Sequence, residues 1–197
     1  MAPSRFDGRR DAVLNEANAI HTTALRARFL PEQYSEQALK LLREYVQVRL
    51  SILQRTPSSK ELDDAIARSN EIQEALWQQT QAVAAKYPGL IPTGIFIQTL
   101  NEMINDQEKT LTAERNQVPA IALIALYVVA TIAIAFTGYA SGLKTRHSRM
   151  PVYITAMLVS SLILLIQDLD RPTTGFIKVS QQPMIDTATS IGAYDGH

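Results

Sequence analysis

The sequence predicts an all-α protein, an amphipathic helical bundle followed by a transmembrane helical hairpin. Charge is segregated along the chain: residues 1–117 are rich in Arg, Glu, Gln and Asp, whereas 118–143 and 150–167 carry no formal charge. Within the charged part, apolar residues recur at spacings of three and four, the period of a helix with one buried face. Alternating strand patterns of useful length are absent, apart from the short "GFIKVS" late in the chain.

The first helix is read in "RRDAVLNEANAIHTTALRARF", which aligns Val13, Ala17, Ile20, Ala24 and Leu25 and stops at Pro31. In the second, "EQALKLLREYVQVRLSIL", Ala38, Leu42, Tyr45, Arg49 and Ile52 fall on adjacent turns. A third opens at Ser58 with Glu61 three residues on, a capping-box pattern, and closes on Tyr87, Pro88 and Gly89. The fourth carries Phe96, Leu100, Met103, Ile104 and Leu111, with no breaker before Pro119, and is expected to run stiffly into the first charge-free segment. These four helices make up a bundle over residues 1–117.

"NQVPAIALIALYVVATIAIAFTGYASGL" stays charge-free for roughly 28 residues, and about 20 suffice to cross a ~30 Å hydrocarbon core. Pro119 opens it, where a missing N–H costs nothing. The second run, "MPVYITAMLVSSLILLIQ", is roughly 18 residues, near the lower limit for a span. Between them lies "KTRHSR", too short for a domain and right for a hairpin. Residues 118–171 are therefore read as two spans, about 118–142 and 151–168. Residues 172–197 form a polar C-terminal tail with a short helix expected from Pro183 and a disordered end.

Lys144, Arg146 and Arg149 in the loop outweigh Lys109 and Arg115 before the hairpin and Arg171 and Lys178 after it. The positive-inside rule then puts the loop in the cytoplasm and the bundle outside. The Lys+Arg and Asp+Glu totals are both 19, and no basic run occurs, which argues against nucleic acid as a partner. Cysteine is absent, so disulfides, thiol nucleophiles and thiolate metal sites are excluded. The N-terminus has no apolar run of the secretory kind. The histidines, His21, His147 and His197, lie in different segments, and no nucleophile elbow or phosphate-cradling glycine loop occurs. The expectation is no enzyme, no cofactor and no metal.

The polar positions that stand out are Glu16 and Asn18 on the first helix, and Asn101, Glu102 and Asp106, with Asn105, on the fourth. Glu102 and Asp106 share a face and would hold a cation only if another helix supplied oxygen ligands. The ordinary alternative is a solvated face. Asp168 and Asp170 end the second span, where carboxylates oppose the helix dipole. Either they lie in headgroup water paired with Arg171, with Pro172 forbidding further helix, or they form a charged corner at a pore mouth.

"SRFDGRR", "NEANAIHTTALRARFLP", "LNEMINDQE", the span ending "GYASG" and "DLDRPTTGFIKVSQQP" together resemble the bacterial bestrophin-like domain family over nearly the whole chain. Relatives generally carry two more transmembrane helices before the "SRFD" motif, so this chain is expected to be a shorter version. His21 stands where a small residue is usual. The resemblance implies a multi-pass protein of the bacterial inner membrane, distantly related to bestrophins, which are pentameric anion channels. Its expected partners are the lipid bilayer, further copies of itself and small ions. A non-conducting membrane scaffold or sensor that binds a protein through its bundle is the alternative. Bestrophin analogy would place the bundle inside rather than outside.

Overall fold

A computed structural model describes residues 2–53, 58–115, 120–142, 150–170 and 179–195. Those residues are all-helical, with no strand among them: α1 (Ala2–Ala27), α2 (Glu32–Leu53), α3 (Ser59–Lys86), α4 (Ile91–Arg115), α5 (Ala120–Gly142), α6 (Met150–Asp170), α7 (Gln182–Gly192) and a 3₁₀ turn at Ala193–Asp195. The chain divides into two compact units. One holds Met1–Phe6 and Asn116–Lys178, the other Asp7–Arg115 and Val179–His197.

The bundle unit obeys the apolar periodicity. Val13, Ala17, Ile20 and Ala24 of α1 are buried, as are Ala38, Leu42, Tyr45, Arg49 and Ile52 of α2 and Phe96, Leu100 and Met103 of α4. Leu25 departs from its expected place: it is 38% exposed, because Ala24 and Ala27 take the inner positions of the last turn. Hydrogen bonds from Arg9 Nε to the Ala113 carbonyl (3.1 Å), from Thr23 Oγ1 to that of Thr99 (3.1 Å) and from Arg26 Nη1 to that of Ile95 (3.1 Å) set α1 antiparallel to α4.

The breakers act as local chemistry requires. Pro31 gives up its carbonyl to Tyr34 N and Ser35 N (2.8 and 3.0 Å), which starts α2. Ser58 caps α3 in a reciprocal box: its Oγ accepts from Glu61 N (3.3 Å), and its own N–H donates to Glu61 Oε2 (2.8 Å). Between α3 and α4, Leu90 N closes on the Tyr87 carbonyl (3.2 Å) with Pro88 second and Gly89 third at φ 83°. This is a type II turn, whose third position requires positive φ and so selects glycine. The expected continuation of α4 into α5 crosses residues 116–119, outside the described residues.

The short helix expected from Pro183 is α7, with Pro183 in its first turn; beyond that expectation, Met184, Thr187 and Ile191 are buried. Thr187 Oγ1 donates to the Ala17 carbonyl (3.2 Å), and Arg43 Nε donates to that of Ile191 (3.4 Å), so α7 lies against both α1 and α2. Three apolar or small buried side chains on eleven residues suffice to dock a helix that has no charge on its inner face. Of "GFIKVS", the first four residues lie outside the described ones, and Val179 and Ser180 are irregular.

In the other unit α5 packs on α6. Leu123, Leu126, Ala130, Ile134 and Thr137 of α5, and Thr155, Ala156, Val159 and Ile163 of α6, are the less exposed positions, recurring at three and four. Elsewhere these helices turn large apolar residues outward, among them Ile121, Phe136, Tyr139, Met157 and Leu158, each at least 66% exposed. Side chains are described without a break over 123–139 of α5 and 153–165 of α6. Among the described residues no helix is long and apolar enough to cross a membrane.

Candidate functional site

The most unusual chemistry of the bundle is inside it. Glu16 of α1 and Arg49 of α2 are both fully buried, and they meet in a two-pronged ion pair: Arg49 Nε donates to Glu16 Oε1, and Nη2 donates to Oε2 at 3.0 Å. The planar guanidinium fork matches the carboxylate, the geometry in which such a pair is strongest. Removing two charges from water is costly, and attraction offsets it only when the pair is close and well aligned.

One turn away a neutral network joins three helices. Tyr45 Oη donates to Gln107 Oε1 (2.6 Å), and Gln73 Nε2 reaches both Gln107 Oε1 (2.5 Å) and Tyr45 Oη (3.4 Å). Burial, and next the nearby Glu16 charge, push the Tyr45 phenol well above its ordinary range, with Arg49 and the Gln73 hydrogen bond opposing. The phenol therefore stays a donor at any physiological pH. Together, α1, α2, α3 and α4 each place at least one polar side chain into a core that is otherwise aliphatic.

Of the positions singled out from sequence, only Glu16 enters this centre. Asn18, Asn101 and Glu102 are exposed, as is Asn105. Asp106 is half-buried and pairs with Lys109 one turn on (2.7 Å). Glu102 accepts only a long contact from Gln98 (3.5 Å). Glu102 and Asp106 gather no third ligand: no group of three His, Cys, Asp or Glu able to hold a metal occurs among the described residues. Asp168 and Asp170 stand on the last turn of α6, but their side chains, and Arg171, lie outside what is described.

Sequence reasoning missed Gln73 and Gln107 as core residues, and it missed Arg49 as the partner of Glu16. A signal existed. Gln73 sits three before Leu76 and seven before Thr80, both buried, so it occupies a core position of α3, and Arg49 already lay on the apolar face of α2.

A family model, the bestrophin-like domain, matches residues 2–184. The chain belongs to the bestrophin-like family. In this bestrophin-like protein the match spans both units, taking in α1, both helices of the hairpin and the start of α7. Neither a curated protein nor a solved structure matches the chain.

Proposed function

We propose that this bestrophin-like protein is a multi-pass protein of the bacterial inner membrane, with α5 and α6 crossing the bilayer. In this reading it is no enzyme: it assembles from several copies around a path for small ions, anions first among them. The observation that carries the reading is the outward apolar surface of the hairpin. An exterior of Ile, Leu, Phe, Tyr and Met on this scale is unfavourable in water and suited to hydrocarbon. In the sequence, residues 118–143 carry no formal charge, and about 20 such residues suffice for a ~30 Å core. Two helices per chain cannot enclose water, so a conducting form requires several copies around an axis.

The scaffold reading rests on a different observation. Thr131 Oγ1 and Thr137 Oγ1 donate to carbonyls four residues back in α5, those of Tyr127 and Ala133 (both 2.8 Å), so their donor hydrogens are spent within their own helix rather than offered to an anion.

Flux decides between them. Purified protein is reconstituted into liposomes, its oligomer state is verified by cross-linking, and halide efflux is measured. Channel function predicts efflux that scales with the amount of oligomer. Intact oligomers without efflux leave the scaffold. Release of the chain from membranes by alkaline carbonate would remove both readings.

A further inference from the structure

A second polar feature of the bundle lies on its surface. An open groove of about 580 Å³ runs along α2, walled by the end of α1 and by the 3₁₀ turn after α7. Its charges are sorted by position. Glu32 and Glu36 line the end nearer the start of α2, while Lys40 and Arg43 line the next turns, and Arg28 approaches from the end of α1. Tyr194 closes the far wall, held by the Arg28 guanidinium at 4.8 Å from its ring centre and by a 3.4 Å contact between its Oη and His21 Nε2. Leu30 and Leu39, both buried, supply an apolar floor.

Four of the groove's charged side chains, Arg28, Glu32, Glu36 and Lys40, do not neutralise one another. Glu36 and Lys40 stand at the i, i+4 spacing, with the acid on the N-terminal side, the arrangement that favours an ion pair on a helix. Yet among the described residues Glu32, Glu36, Arg28 and Lys40 form no ion pair, in contrast to Lys109 with Asp106 and Arg68 with Glu44 and Glu71 on the same bundle. A concave site with an acidic half and a basic half about one helical turn apart, roughly 6 Å along the axis, is complementary to a molecule carrying both signs.

We propose that this groove binds a small zwitterion, an ammonium group joined to a phosphate or carboxylate, with the ammonium at Glu32 and Glu36 and the anion among Arg28, Lys40 and Arg43. A phosphoethanolamine group has this chemistry, whether it comes from a free solute or from a lipid headgroup.

Calorimetric titration of the full chain in detergent with O-phosphoethanolamine tests it, with inorganic phosphate as the comparison. Saturable binding of phosphoethanolamine, at least tenfold tighter than phosphate, is expected. Lys40→Ala and Glu36→Gln should each weaken it about tenfold. Both side chains are exposed, and unchanged thermal melts would verify the fold. The double exchange Glu36→Lys with Lys40→Glu retains the composition but reverses the polarity, and it should weaken binding as well. Phosphate binding as tightly as phosphoethanolamine, with Glu36→Gln without effect, would reduce the groove to an anion site and overturn the proposal, as would no binding at all. Repeating the titration in lipid nanodiscs with and without phosphatidylethanolamine separates the two sources. Weakened binding in the presence of that lipid identifies the headgroup as the ligand, and unchanged binding identifies the solute.

Discussion

The two units of this protein differ in what they enclose and in what their surfaces present. In the bundle unit a carboxylate, a guanidinium, a phenol and two amides are enclosed, and the outer face is charged. In the hairpin unit only Ile163 counts as buried among the described side chains, and the surface is aliphatic and aromatic. In water, burial of apolar area drives packing, so a bundle can carry a few paired polar groups inside at the expense of some stability. In lipid that driving force between helices is absent, which leaves close packing of small and β-branched side chains such as those along the seam of α5 and α6. The membrane reading proposed above rests on this contrast between the units.

That contrast breaks most sharply at the buried pair. Arg49→Met alone, which strands the Glu16 carboxylate, should cost roughly 3–5 kcal/mol in chemical denaturation of the full chain. Adding Glu16→Leu to it should recover most of the loss. A single substitution as harmless as the double would show that the pair is not closed in solution.

The tail comes next. Met184 is fully buried although it lies in a segment of mostly polar composition, and Met184→Ala should cost roughly 2–5 kcal/mol by leaving a cavity against α1 and α2. A change confined to a few tenths of that range would mean α7 is undocked most of the time.

The solvent assignment is sharpened by placing one charge on each unit. Ile132→Arg, on the outer face of α5, should oppose insertion by about 2.5–3.5 kcal/mol and lower the carbonate-resistant fraction. Leu25→Arg, on the half-exposed face of α1, should stay within about 0.5 kcal/mol. Equal effects at the two sites would remove the distinction between the units.

The smallest expected effect is at the start of α3, where Ser58→Ala removes the cap and should cost about 1 kcal/mol in thermal or chemical denaturation. Because the box is exposed and local, Ser58→Asp should restore most of it.

Helix positions, the Ser58 cap and the Pro88–Gly89 turn were legible because each depends on neighbours within four residues, where backbone hydrogen bonding and steric limits act directly. The buried face of α2 was legible for the same reason, down to the inclusion of Arg49. Pairings were not. Glu16 stands out as a polar position, but its partner appears only when α2 is folded against α1, and the core position of Gln73 gains its partner only when α4 brings Gln107 within hydrogen-bond reach. Composition made the last residues look like a polar tail, yet three inward side chains at helical spacing outweigh a polar average once α1 and α2 present a surface for them. Periodicity reports which face of a segment is apolar. Which polar groups become partners inside is decided only when distant helices meet, since the cost of burying a charge is offset by a partner that here lies on another helix altogether.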